Sequence, residues 1–183
     1  KQVKLNTVAI KGFTANPSNT IFSFSPSESL QENTNYTIEV TTGVKSIYEN
    51  LLSTSVKFNF TTGDYTRPSI STITPSNGEA GVSRSLAIQV QFSEPVLKVE
   101  SGTTVQLYEK NESGEIVGSV LLNSIASGSN NTYFITAQSL LKESTSYEIR
   151  FTEGITDTSV NANKLIPISF SFKTGDDVKP TAL

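Results

Sequence analysis

Five carboxylates stand where carboxylates can do chemistry. Asp64, Asp157, Asp176 and Asp177 are the only aspartates in the chain, and none lies in a segment of alternating apolar residues. Glu94 sits in the turn-prone run Phe92-Ser93-Glu94-Pro95. Carboxylate and carbonyl oxygens suit a hard cation, calcium above all. They also suit plain turn chemistry, because Asp and Asn side chains bond their own backbone. No Asp-x-Asp-x-Asp-Gly loop decides between the two. The chain has no His and no Cys. That excludes Ser-His and Cys-His nucleophiles and thiolate- or imidazole-bound zinc. Paired carboxylates can hydrolyse glycosides, but most glutamates alternate outward or scatter through loops, with no sign of a cleft. The chain reads as no enzyme.

The elements that must position these groups are strands. There are 26 serines and 23 threonines, over a quarter of 183 residues, with 11 Gly and 7 Pro. Such a composition suits β-structure with many turns. The net charge is -3, against clustered phosphate binding, so no nucleic-acid partner is expected. No apolar run nears the ~20 residues of a membrane span, so no membrane insertion of this segment is expected. Leu86 to Phe92 alternates apolar and polar without a fault, and so do Tyr147–Phe151 and Ile168–Phe172. That is the period of a half-buried strand. Seven strands are predicted, near 68–74, 86–92, 103–109, 115–122, 131–137, 145–152 and 166–173. Seven short strands without helical periodicity predict an all-β, Ig-like antiparallel sandwich.

The pattern repeats. Leu30-Gln31-Glu32-Asn33-Thr34-Asn35-Tyr36 recurs 111 residues later as Leu141-Lys142-Glu143-Ser144-Thr145-Ser146-Tyr147. Phe58-Asn59-Phe60-Thr61-Thr62-Gly63-Asp64 recurs 112 later as Phe170-Ser171-Phe172-Lys173-Thr174-Gly175-Asp176. The expected organisation is the C-terminal half of a sandwich over 1–64, a whole one over 65–176, and the start of another over 177–183. The chain reads as a window on a longer tandem array. In such a sandwich the loops after 86–92 and after 145–152 share the pole where 68–74 begins. Asp64, Glu94 and Asp157 are therefore the candidate calcium ligands at the joint between units, with Asp176 and Asp177 offering the same to the next.

These residues resemble a known family. Pro75-Ser76-Asn77-Gly78-Glu79-Ala80-Gly81-Val82, then Phe92-Ser93-Glu94-Pro95-Val96, then Leu141 to Phe151 and the closing Phe170 to Gly175 are similar to SbsA-type bacterial Ig-like repeats. The usual Asp-x-x-Gly-Asn loop of that family is altered, to Asp157–Asn163 here and to Ser46–Asn50 in the first copy. The resemblance implies an extracellular structural or spacer role in an S-layer lattice or adhesin stalk on the bacterial surface. Partners would be neighbouring Ig-like domains, with self-assembly into a lattice. An adhesion or carbohydrate-binding accessory module is the alternative.

Tyr36 and Tyr147 share one repeat position, which favours packing with a backbone-bonded hydroxyl over ligand stacking. Four Asn-x-Ser/Thr matches, at Asn35, Asn59, Asn111 and Asn130, are expected by chance in so Ser/Thr-rich a chain. Residues 1–63 should lack counterparts of 68–74, 86–92 and part of 103–109. Four inward side chains like Leu86, Ile88, Val90 and Phe92 are together worth roughly 6–12 kcal/mol, against a typical net stability of ~5–15 kcal/mol. The first half should therefore need strands from a preceding segment or from another chain, Pro180–Leu183 being one candidate donor.

Overall fold

The computed structural model describes residues 3–176. The chain divides into two units, Lys1–Tyr65 and Thr66–Leu183. All regular elements among the described residues are strands. The expected start of a further unit over 177–183 lies outside the described residues.

In the first unit, β1 (Val3–Leu5), β4 (Asn35–Val40) and β5 (Val56–Thr61) form a sheet in the order β1-β4-β5. β2 (Ile10–Ala15) and β3 (Phe22–Pro26) form a separate antiparallel hairpin. The second unit holds β6 (Ile70–Thr74), β7 (Glu79–Val82), β8 (Ile88–Phe92), β9 (Val96–Leu97), β10 (Val105–Lys110) and β11 (Ile116–Val120). It continues with β12 (Ala126–Ser127), β13 (Thr132–Ile135), β14 (Ser146–Phe151), β15 (Thr156–Asp157) and β16 (Ile168–Thr174). Its sheets run β11-β10-β14-β16-β7 and β12-β13-β8-β6, with β15-β9 as a short extra ladder. The seven predicted segments all hold strands, and four short ones add to them. The most informative is β7. Pro75 to Val82 reads as a turn, yet its second half pairs parallel with β16. The chain leaves β8's sheet after β6 and crosses to the other. Gly78 N donates to Ser171 O (2.7 Å), and Ser171 N donates to Asn77 Oδ1 (2.9 Å). Turn residues thus lash the crossover to β16, and a sequence period cannot reveal that.

Alternation fills the core of the second unit. Ile88, Val90 and Phe92 of β8 are buried with Val105, Leu107, Ile135, Ile149, Phe151, Ile155 and Leu165. Phe92 meets Tyr133 and Phe151 edge-on, at 5.6 and 6.3 Å. This is the quadrupole-favoured arrangement of aromatic rings. Leu86 lies just before β8 and is only partly buried against this core. Without a disulfide, burial of this kind carries the unit.

The two units share one polar knot. Gln31 N donates to the Tyr36 hydroxyl (2.9 Å), and Lys142 N donates to that of Tyr147 (2.8 Å). Thr34 N donates to Thr62 Oγ1 (3.0 Å), and Thr145 N donates to Thr174 Oγ1 (3.0 Å). Thr62 Oγ1 donates in turn to Gln31 O, and Thr174 Oγ1 to Lys142 O (2.6 Å). Tyr36 stacks on Phe60 and Tyr147 on Phe172, each at 5.7 Å with rings 24° apart. Asn33 and Ser144, which turn the chain into the strand, both have positive φ, 47° and 48°. The packing reading of the two tyrosines is the one that the structure shows.

Pairing also fixes the start of the first unit. Leu5 lies opposite Ile38, as Leu107 lies opposite Ile149. β1 is therefore the counterpart of β10. Tyr147→Phe should leave the part-buried Lys142 N–H without its protein acceptor, at a cost of about 1 kcal/mol. Urea unfolding of the full chain should show that loss as a lower midpoint of the second unit's transition.

Candidate functional site

The loop after β14 carries the densest polar arrangement among the sequence-selected residues. Asp157 closes β15, opposite Val96 of β9, and is 1% exposed. Its Oδ1 accepts from Ser159 N (3.1 Å), Ser159 Oγ (2.8 Å) and Asn163 N (3.0 Å). Its Oδ2 accepts from Asn163 Nδ2 (2.8 Å). Burial pushes the carboxyl up, but the bonds from Asn163 and Ser159 outweigh it and hold it below the ordinary aspartate value. The charged form is thus the one this loop is built around. The sequence signal was an Asp with a Ser two residues on and an Asn six on, which is Asx-turn chemistry.

Glu94, half-buried, lies two residues before β9, so the β9–β15 ladder brings it to the same end of the second unit. A carboxylate oxygen of Glu94 lies within 4.8 Å of one from Asp157. Asp64 belongs to the first unit, where its Oδ2 accepts from Asn33 Nδ2 (3.0 Å) beside the first knot. Asp176 is exposed just past β16. Asp177 lies outside the described residues. The outward glutamates of the sheet form surface pairs. Glu148 accepts from Lys110 Nζ (3.0 Å) and Arg150 Nε (2.6 Å), and Arg150 lies 5.0 Å from the Tyr108 ring centroid. The Arg150 and Lys110 bonds hold Glu148 below the usual carboxylate value.

The first unit builds a similar loop around a neutral acceptor, Ser46. Ser46 N donates to Asn50 O (2.8 Å), as Asp157 N donates to Asn163 O (3.0 Å). Ser46 Oγ accepts from Tyr48 N and Asn50 N, the part Asp157 Oδ1 plays in the second unit. Leu52 N then bonds Val44 O, as Leu165 N bonds Ile155 O. The residue before each closing Asn has positive φ: Glu49 at 64° and Ala162 at 48°. Neither is glycine, the residue that holds this conformation without strain.

Two packed sheets, antiparallel apart from the β7–β16 pair, with a tyrosine bonded back to its own corner define the second unit as an immunoglobulin-like sandwich. More narrowly, the chain belongs to the bacterial Ig-like domain family, which it matches over residues 2–62 and again over 64–174. Among solved structures it is similar to the N-terminal part of the bacterial S-layer protein SbsC (17% identity, TM-score 0.44), covering 62% of this chain and 24% of that one. SbsC domains 1–6 give 16% identity and a TM-score of 0.45, over 62% of this chain and 14% of that one. The copper resistance protein PcoC from Escherichia coli gives 18% and 0.44, over 58% of this chain and 98% of that one. No curated protein matches the chain.

Two outcomes follow from the loop. Ala162→Gly should raise stability by about 1 kcal/mol, because glycine takes positive φ without a Cβ penalty. A higher urea midpoint at unchanged slope is the check. The Asp157 carboxyl is depressed in the folded state, so its contribution is full above the unfolded value of ~3.9. It is lost as pH falls through the folded value. Urea titrations from pH 5 to pH 2 should show a shallower acid loss for Asp157→Asn than for the parent. Glu148 contributes equally to both proteins, so the difference isolates Asp157.

Proposed function

We propose that the chain is a non-enzymatic spacer segment of a bacterial cell-surface protein, working outside the cell. The observation that supports this reading is the tandem match. Two consecutive copies of one family are separated by a single unmatched residue, 63. The mechanism is mechanical. A connection as short as Gly63-Asp64-Tyr65-Thr66-Arg67-Pro68 leaves few free torsions, and Pro68 removes one more and restricts its neighbour. Further SbsA-type Ig-like units of the same protein are the natural partners. An S-layer lattice or an adhesin stalk is the setting such a spacer serves.

Backbone 15N relaxation of the full chain is the test. One shared rotational correlation time for both units is the expected result. Two separate, shorter times would overturn a fixed-spacing role. Saturable binding on a glycan array would favour an adhesion module instead.

A further inference from the structure

The first unit carries the knot of the second without its cover. Phe60 and Phe172 occupy one repeat position and stack identically on their tyrosines. Phe172 is 4% exposed, yet Phe60 is 37% exposed. Leu5 and Tyr36 are the only buried apolar residues described in the first unit, against sixteen in the second. Phe13, Phe22, Val56 and Phe58 are all exposed, with Phe13 stacked on Phe22 at 5.6 Å and on Phe24 at 6.5 Å. Exposed apolar clusters of this kind, one on the β2–β3 hairpin and one on β5, mark interaction surfaces.

The second unit shows what such a surface takes. β16, the counterpart of β5, is paired parallel by β7 along its outer edge. β13 is the counterpart of β3, since Asn19-Thr20-Ile21-Phe22 recurs 112 residues later as Asn131-Thr132-Tyr133-Phe134; it is paired antiparallel by β8, with Tyr133 opposite Val90 and Ile135 opposite Ile88. In the first unit neither β5 nor β3 has a second neighbour among the described strands. Both therefore present unpaired backbone along an open edge. The occupant must satisfy that backbone and lay apolar side chains at every second position.

We propose that the open edges of β3 and β5 form a docking surface for one kind of partner. It is a strand ribbon of bacterial Ig-like sequence, with the apolar alternation of Ile88, Val90 and Phe92. The ribbon pairs antiparallel with β3 and runs a short parallel stretch along β5. It is supplied from outside residues 3–176, because β6, β7 and β8 are already engaged in the second unit. This inference does not depend on the spacer reading.

The chain's own sequence provides the probe. Val3 stands where Val105 stands, so Thr66–Gly102 joined directly ahead of Lys1 preserves the register. The same segment can also be titrated into the full chain as a peptide. The expected result is about 100-fold slower hydrogen exchange at the β3 amides, with loss of the dye ANS from the apolar surface. The joined form covers the case in which the free peptide aggregates. A donor carrying Ile88→Asp and Val90→Asp should give neither effect. Unchanged exchange at β3 with the intact joined donor would overturn the proposal. Dimerisation of the unmodified chain that protects β3 would overturn it too, since a second copy would then be the occupant.

Discussion

A buried tyrosine hydroxyl that accepts a backbone N–H five residues upstream is the constraint on which both units depend. The residues between cannot all stay helical or extended while that bond forms. They close a loop through one residue of positive φ, and the loop delivers the chain into β4 or β14 at a fixed register. The neighbouring threonine then cross-links the loop to the closing strand, β5 or β16. Strand pairing downstream inherits its register from this point. A slip of one residue would turn every inward side chain outward. The knot is neutral and small, so its value lies in leaving no buried donor unmade rather than in the strength of any one bond.

This gives a physical account of the family's sequence marks. Leu-x-x-x-Thr-x-Tyr and the closing Phe-x-Phe-x-Thr-Gly are distant in the chain but meet in one hydrogen-bonded cluster. Thr34 with Thr62, and Thr145 with Thr174, are the bonds that join the two marks. The altered turn after β14 tells a complementary story. Neither copy has glycine at its positive-φ position, yet both hold the backbone shape through donors to Ser46 or Asp157. Backbone geometry there is held by the acceptor, whose charge differs between copies.

Much of the fold was legible from alternation. β8, β14 and β16 follow from period-2 runs of Ile, Val and Phe, and β4 and β5 from their repetition. What stayed hidden was set by pairing rather than by period. β7 is written in turn residues and becomes a strand only because β16 offers an edge and Asn77 bonds Ser171. β9 and β15 are two residues each, too short for any periodic signal. Within the candidate site, the weight of Asp157 was visible, but Ser159 and Asn163 were not singled out. Their role depends on a loop closing over six residues, and composition alone does not specify that closure.

One difference between the copies lies at the margin. Leu5 is followed by Ile10 after a short turn, whereas Leu107 reaches Leu122 only through the β10–β11 hairpin. The first sheet thus ends at β1 and the second extends one strand further, to β11. In the second unit the knot meets that hairpin, since Tyr147 lies opposite Glu109 of β10 and Lys142 Nζ donates to Glu109 Oε1 (2.7 Å). The first unit forms the same hydrogen bonds with no such hairpin beside its sheet, so the flank of a repeat can change while its bonded corner is kept. Two units built this way share a corner and differ at the flank, which is where their surfaces can be told apart.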